Sequence, residues 1–327
     1  MISPRLSKVV SGTRLTTDLL NSMIKRTEYA ADLLQQYKLI SGNQMYIEPH
    51  YDGTRVSYLQ PVGGGTTPTQ PISPAYRIVG SYVKSGFTVG FVYDGTTYTD
   101  IIFPGATTTQ CLDIYNGNIV GIRTLSGQIR GFLYADGNFT SLESPIVGAT
   151  SSARGIYTNL ITGQYQFGNS RGYLYDGLIY KIILPPGSNN TFAPRIDQNT
   201  IVGRFQTSAN TGNRGFITTT DLSSYTTFTV PGAIATSGKG TLLTGVHNDT
   251  IIGFYFNASG GTTSFSLLGG NRTDFNYPGA SETRFIGIYE NFIVGQFESG
   301  FFLYDGSTFA DIVQPPGVTN FNVFGIG

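Results

Sequence analysis

The stretch that decides the fold is IYNGNIVGIRTLSGQIRGFLYADGNFT, residues 114–140. It alternates short runs of Ile, Val, Phe and Tyr with the pairs Asn-Gly, Ser-Gly and Asp-Gly. Branched and aromatic residues favour strands, and these pairs favour tight hairpin turns because glycine tolerates the positive φ that such turns need. The stretch therefore predicts consecutive antiparallel strands joined by short turns.

The same pattern returns along the chain. Ile-Val-Gly or a close variant begins at Ile78, Ile119, Ile161, Ile201, Ile251 and Ile293, with spacings of 41, 42, 40, 50 and 42 residues. Four short strands in a unit of this length are typical of a β-propeller blade. The fourth unit is the longest, and extended loops are expected in it at residues 208–213 and 237–240.

The phase of the repeat predicts a closed ring. The last unit stops after its fourth segment, whereas the first unit begins without one. Residues 321–327 are therefore expected to supply the inner strand of the blade formed by residues 77–105, which leaves no open sheet edge. A solenoid would need a polar cap at each end, and neither end unit resembles one. The predicted fold is mainly β: a six-bladed β-propeller over residues 76–327, closed by the C-terminal strand.

The first 75 residues have a different character. Thr17 is a suitable N-cap for a helix over residues 17–39. A heptad-like apolar seam follows this helix, comprising Leu20, Met23, Thr27, Ala30, Leu34 and Tyr37. A β-hairpin turning at Asp52-Gly53 is predicted over residues 45–59, followed by a Gly/Pro/Thr linker at 61–75. Residues 1–60 are thus expected to form an oligomeric anchor, with a homotrimer favoured over a dimer.

The amino-acid composition excludes several classes of binding partner. Twenty basic and twenty acidic residues cancel, so the long-range attraction of a general nucleic-acid binder is missing. No run reaches the ~18 apolar residues of a membrane span, and the N-terminal residues carry no apolar signal-peptide region. We therefore expect no nucleic acid, no membrane insertion and no secretion signal. The single cysteine, Cys111, is expected to be a buried apolar residue of a strand.

The sequence contains few combinations of residues that are typical of an active site. Only His50 and His247 could serve a metal or a catalytic triad, and no phosphate-binding glycine loop is present. No cofactor, no metal and no enzymatic activity are expected. Paired carboxylates for glycoside hydrolysis stay an open alternative. The scattered candidates for such a pair are Glu143, Glu282, Glu290 and Glu298, whereas the repeated turn aspartates Asp94, Asp136, Asp176 and Asp305 are explained by turn geometry.

A ligand-binding mouth of the channel is the remaining possibility. Alignment of the inner-strand segments places a polar set near one mouth: Gln110, Arg154, Arg195, Lys239, Arg284 and Asn322. The three arginines could form a partial cationic ring for carboxylate or phosphate groups, or they could be solvated side chains on separate loops. Tyr115, Tyr157 and Tyr289 recur at equal offsets and could stack on sugar rings or pack as repeat equivalents.

The repeat resembles the short extracellular repeats of the HAF type found in bacterial propeller-like proteins. Matching segments are Gly131-Phe132-Leu133-Tyr134, Pro104-Gly105-Ala106, and Ile114 through Gly121. The resemblance covers about three quarters of the chain and implies a fold more than a function. The fifth unit lacks the Asp-Gly turn, and Pro194-Arg195 replaces the glycine before Ile196.

The N-terminal block is similar to virion-anchoring segments of bacteriophage fibre and head-fibre proteins. The similarity rests on residues 14–21, the helix after them, and the hairpin with its linker. It implies a non-enzymatic virion protein of tail or capsid, assembled in a host cytoplasm, that displays the propeller to a host receptor or glycan. The alternatives are a free lectin-like carbohydrate-binding propeller and a glycan-cleaving enzyme.

Overall fold

The computed structural model describes the strands at residues 45–50 and 53–58, and then residues 76–207, 211–236 and 238–327. The chain divides into two units at the boundary between Pro71 and Ile72. The predicted helix at 17–39, its seam, the linker at 61–75 and part of each extended loop lie outside the described residues. No helix long and apolar enough to span a membrane occurs within the described ranges.

The first unit contains the predicted hairpin. Strands β1 (Met45–His50) and β2 (Gly53–Tyr58) pair antiparallel, with Met45 opposite Tyr58 and His50 opposite Gly53. The expected turn position is wrong by one residue, because Gly53 is already a paired residue of β2. The apolar alternation around Asp52 predicts the strands but does not fix which residues turn.

Four separate four-stranded antiparallel sheets make up most of the second unit. Their strands, in the order of pairing, are β10 (Thr150–Tyr157), β11 (Leu160–Phe167), β12 (Asn169–Tyr175) and β13 (Tyr180–Ile183); β14 (Asn190–Asp197), β15 (Thr200–Gln206), β16 (Arg214–Thr219) and β17 (Tyr225–Phe228); β18 (Thr241–His247), β19 (Thr250–Phe256), β20 (Thr262–Leu268) and β21 (Asn271–Phe275); and β22 (Thr283–Tyr289), β23 (Phe292–Phe297), β24 (Gly300–Tyr304) and β25 (Phe309–Ile312). The fold is a mainly-β propeller.

The other strands form one eight-stranded sheet. They are β26 (Thr319–Ile326), β3 (Ile78–Lys84), β4 (Phe87–Tyr93), β5 (Tyr98–Ile101), β6 (Thr108–Tyr115), β7 (Asn118–Leu125), β8 (Gln128–Ala135) and β9 (Asn138–Leu142). Six separate four-stranded blades were expected, but only four such sheets form, and the remaining eight strands make one sheet. The physical reason is one parallel bridge, Thr88 with Thr108, which joins β4 to β6.

The C-terminal strand closes the propeller on its first strand. β26 pairs antiparallel with β3, with Ile326 opposite Ile78 and Asn322 opposite Ser81. Reciprocal backbone hydrogen bonds between Arg77 and Gly327 extend the ladder by one residue. The inner strands β6, β10, β14, β18, β22 and β26 contact one another in that order, and β26 contacts β6. The chain ends of the second unit are thereby tied together in one sheet.

A glycine beneath an aromatic ring explains the repeated motif. Gly121 of β7 lies opposite Phe132 of β8, and a Cβ on this glycine would stand 1.9 Å from the carbonyl oxygen of Gln110 and 2.7 Å from the Phe132 ring. The same cross-strand pair occurs six times: Gly80 with Phe91, Gly121 with Phe132, Gly163 with Tyr173, Gly203 with Phe216, Gly253 with Phe265, and Gly295 with Phe302. These rings are buried and fill the space between neighbouring sheets.

Candidate functional site

Each inner strand carries a β-bulge at the same place. The register shifts fall between Cys111 and Asp113, Ala153 and Gly155, Phe192 and Arg195, Leu243 and Gly245, Phe285 and Gly287, and Val323 and Gly325. A bulge inserts an unpaired residue and re-aims the side chains beside it. The residues after the bulge therefore set the lining of the channel.

Glycine follows the bulge in four of the six inner strands. A Cβ on Gly325 would lie 2.6 Å from the carbonyl oxygen of Leu112, so β26 and β6 approach one another too closely for a side chain at this position. The two exceptions are Asp113 of β6 and Arg195 of β14. They put a carboxylate and a guanidinium at a level where the other strands offer only backbone.

Arg195 and Asp113 occupy the centre of the channel at that level. Arg195 Nε lies 3.7 Å from Asp113 Oδ1, and both side chains are about nine-tenths buried. The guanidinium also donates to backbone carbonyls of three other inner strands: Arg154 of β10, Leu112 of β6 (3.1 Å) and Phe324 of β26. The arginine thus crosses the ring of inner strands and ties four of them together.

The Asp113 carboxyl has an unusual titration. Burial raises its pKa to about 6, which outweighs the attraction of Arg195 and the hydrogen bonds it accepts from backbone amides. One of those bonds comes from Ile156 N to Oδ2, at 3.0 Å. Desolvation penalises the charged carboxylate more than the Arg195 charge and the backbone amides favour it, so the group is mostly ionised only above that pH.

Beyond this level, the C-terminal ends of the inner strands form what we call the C-terminal mouth. Five of the six strands end there in a ring or a carboxylate: Tyr115, Tyr157, Asp197, His247 and Tyr289. The rings of Tyr115 and Tyr157 lie 4.8 Å apart, and those of His247 and Tyr289 lie 5.0 Å apart. Tyr115, Asp197, His247 and Tyr289 line a cavity of about 30 Å³, large enough for an ordered water or a small polar group, and Tyr157 lies outside it beside Tyr115.

Asp197 is the buried carboxylate of the C-terminal mouth. Its Oδ1 lies 3.7 Å from His247 Nδ1, and its Oδ2 accepts a 2.7 Å hydrogen bond from Asn248 N. Burial raises the pKa of Asp197, against the lowering effects of that amide and of His247. Burial also raises the pKa values of Tyr115 and Tyr289, and the charge of Asp197 adds to both shifts. The hydroxyls therefore stay protonated and can donate hydrogen bonds.

Of the two alternatives for the polar set, a cationic ring or separate side chains, the positions favour separate side chains, because the members lie at different levels along the channel. Gln110, Arg284 and Asn322 precede the bulge and pair with second-strand residues, whereas Arg195 follows the bulge and Lys239 precedes β18. Arg284 is already paired with Glu282 at 2.8 Å. Lys239 lies over the ring of Phe256, 5.8 Å from its centre. Arg204 of β15 is a further cation whose charge acts on Arg154. It was not predicted, because it lies on a second strand and the alignment covered only the inner strands.

Two predictions of structural roles are confirmed, those for Cys111 and for the turn aspartates. Cys111 is fully buried in β6. The carboxylates of three turn aspartates accept backbone N–H groups two and three residues ahead: Asp94, Asp176 and Asp305. Three of the scattered glutamates are engaged locally: Glu143 with Arg130, Glu282 with Arg284, and Glu298 with the backbone of Ser281. No cluster of three potential metal ligands occurs in the described part of the chain.

Comparison with solved structures identifies the same architecture. TolB from Acinetobacter baumannii is similar with a TM-score of 0.55 and 11% identity, over 77% of this chain and 67% of that one. A chain of the nidogen/laminin complex is similar with a TM-score of 0.51 and 11% identity, over 76% of this chain and 97% of that one. The Aleuria aurantia lectin, in complex with a fucoside, has a TM-score of only 0.38 and 13% identity, over 73% of this chain and 78% of that one. At these identities the likeness shows the fold alone. No family model and no curated protein sequence matches the chain.

Proposed function

We propose that this protein is a non-enzymatic binding protein that contacts carbohydrate through the C-terminal mouth of its propeller. The observation that carries the proposal is the set of Tyr115, Tyr289 and His247 around the buried Asp197 carboxylate, with the Tyr157 ring beside Tyr115. Tyrosine offers an apolar ring face to the C–H face of a sugar and a hydroxyl to its polar edge. A carboxylate beside these rings accepts hydrogen bonds from sugar hydroxyls.

The closed centre of the channel supports a surface-binding role. Arg195 fills the ring of inner strands just below the mouth, so a ligand there meets a floor and not an open pore. Within the described ranges, no serine or cysteine side chain is hydrogen-bonded to His247, which contacts Asp197 and Tyr289. A nucleophile with an adjacent base is the usual sign of covalent catalysis, and the mouth offers a carboxylate with aromatic rings.

The ring itself is proposed to have six blades. Within the eight-stranded sheet, β26-β3-β4-β5 and β6-β7-β8-β9 are each antiparallel and are joined by one bridge pair. Val79 of the first group and Ile119 and Phe132 of the second belong to one buried hydrophobic cluster, as residues of neighbouring blades do. The six inner strands that contact one another in a cycle support the same count.

Glycan binding by the full chain tests the proposed function. A panel of immobilised neutral and acidic glycans should yield a binder, and the double variant Tyr157→Ala/Tyr289→Ala should lose most of that binding. Phe167→Ala is the matched control, because Phe167 is an exposed ring beside the opposite end of β10 and its removal should leave binding unchanged. Failure of every glycan to bind, or binding unaffected by the double variant, contradicts the proposal.

The particle on which such a propeller would act stays a prediction. The virion anchor, the homotrimer and the location in a tail or capsid rest on residues 1–60, most of which lie outside the described ranges. Cross-linking residues 1–60 of the full chain in an intact particle would test it: contact with a tail or capsid protein supports the anchor, and a monomer unattached to any particle contradicts it.

A further inference from the structure

Two arginines near the N-terminal ends of the inner strands have no acidic partner. Arg154 is the bulged residue of β10, and Arg204 lies on β15 opposite Phe192. Within the described ranges, no carboxylate lies within ion-pair distance of either guanidinium. By contrast, Arg130, Arg272 and Arg284 are each paired with a carboxylate. Unpaired cations that are partly withdrawn from water need an explanation.

Both arginines are held in place by neutral groups. Arg154 Nε donates to Ser152 Oγ at 3.1 Å, and its backbone carbonyl accepts from Arg195. The Arg204 guanidinium carbon lies over the Phe192 ring, 4.5 Å from its centre. These contacts orient the two guanidinium groups without neutralising either charge.

The two charges oppose each other. Burial lowers the pKa of both arginines to about 10, and the charges of Arg204 and Arg195 add to the shift at Arg154. Both groups still carry a full charge at neutral pH. Like charges held together away from water are unfavourable unless an anion lies between or beside them.

A cavity beside Arg154 offers room for such an anion. Its volume is about 100 Å³, and Arg154 lines it together with the hydroxyls of Thr150 and Ser152 and the amide of Gln164. None of its lining residues is acidic. Hydroxyl and amide groups donate hydrogen bonds, and a guanidinium matches the two oxygens of a carboxylate or phosphate.

We propose that this cavity, with Arg154 on its wall, is a binding site for the oxyanion group of an acidic ligand, separate from the C-terminal mouth. The ligand presents a carboxylate or a phosphate to the Arg154 guanidinium, Ser152 and Gln164 contact its remaining oxygens, and the charge of Arg204 adds to the attraction. The site lies at the opposite ends of the inner strands from Tyr157 and does not depend on carbohydrate binding there.

Titration of the full chain with inorganic phosphate and with glucuronate tests the site. Calorimetry at constant ionic strength, set with chloride, should show binding of at least one of the two anions, and comparison of the two arms distinguishes phosphate from carboxylate. Arg154→Gln should weaken binding about tenfold or more, as the loss of one charge-assisted contact implies. Arg204→Gln removes only a nearby charge and should weaken binding less. Arg214→Gln removes an exposed arginine and should not change it.

Thermal unfolding without added anion distinguishes an anion-binding role of the two arginines from a purely structural role. Because each variant removes one of two like charges, the melting temperature of Arg204→Gln should equal or exceed that of the natural chain. A large drop in that temperature overturns the proposal and assigns Arg204 a structural role. Equal affinity of the natural chain and both variants, or no binding of either anion, overturns it as well.

Discussion

Arg195 Nε lies 3.7 Å from Asp113 Oδ1, and the two residues take the positions where the other four inner strands carry glycine. The pair links β14 to β6, and the arginine reaches the backbone of β26 on the far side of the ring. Two departures from the repeat therefore compensate each other. They also give the C-terminal mouth its floor.

Replacing one partner of this pair should be costly. Arg195→Gly restores the repeat glycine but leaves the Asp113 carboxylate buried without an opposite charge. The free energy of unfolding is expected to fall by about 3–5 kcal/mol, the usual effect of breaking a buried ion pair. Urea denaturation at pH 7 measures the change.

The double variant Asp113→Gly/Arg195→Gly is the control for that measurement. Because it removes both charges, its loss of stability should be smaller than the sum of the two single losses. Strict additivity of the two losses would mean that the pair is not coupled.

Asp113 should give stability a distinct pH dependence. The carboxyl has a raised pKa of about 6 in the folded chain, and it returns to about 4 on unfolding. Between these values the folded chain holds a proton that the unfolded chain has released, so this group's contribution to stability is present below about pH 4 and is lost as the pH rises to about 6.

Asp113→Asn isolates that contribution, since Asp197 and His247 are unchanged in the variant. The free energy of unfolding of the natural chain, minus that of the variant, should decrease as the pH is raised from 4 to 6 in chemical denaturation. A difference that stays flat or increases over this window would contradict the raised pKa.

The glycine beneath each ring should tolerate no side chain. In Gly121→Ala the new Cβ would stand 1.9 Å from the Gln110 carbonyl oxygen and 2.7 Å from the Phe132 ring. Overpacking of this kind costs about 1–3 kcal/mol, and the clash with backbone places this variant at the upper end of that range. Guanidinium denaturation of the full chain checks it.

Gly287→Ala serves as the comparison variant, because the nearest atoms to its new Cβ lie at 3.4 Å, an ordinary contact. It should lose much less stability than Gly121→Ala. Equal losses in the two variants would show that the cross-strand ring is not the reason for the repeated glycine.

The repeat itself made much of the fold predictable. The spacing of Ile-Val-Gly located the strands, and the phase at the two ends predicted the pairing of β26 with β3, which is confirmed. The bridge between Thr88 and Thr108 could not be foreseen, because it depends on how two sheets meet and not on a residue pattern. Predictions on residues 1–44 remain untested.

The site was predictable only in part. Equal offsets from the repeated isoleucines grouped Tyr115, Tyr157 and Tyr289; in the structure Tyr157 lies beside Tyr115, and Tyr115 and Tyr289 line one cavity. Sequence spacing left the cationic ring open, because it does not show the bulge that separates Arg195 from Arg284 by one level along the channel. Arg204 was missed because it lies on the second strand β15 and not on an inner strand.

A crystal structure of the full chain bound to its best glycan tests the central claim most directly. The proposal predicts electron density for a sugar ring against Tyr157 and Tyr289 in the C-terminal mouth, with a sugar hydroxyl within hydrogen-bond distance of Asp197 or His247. A sugar bound at the outer strands or at the opposite ends of the inner strands, with the mouth occupied only by water, would contradict it.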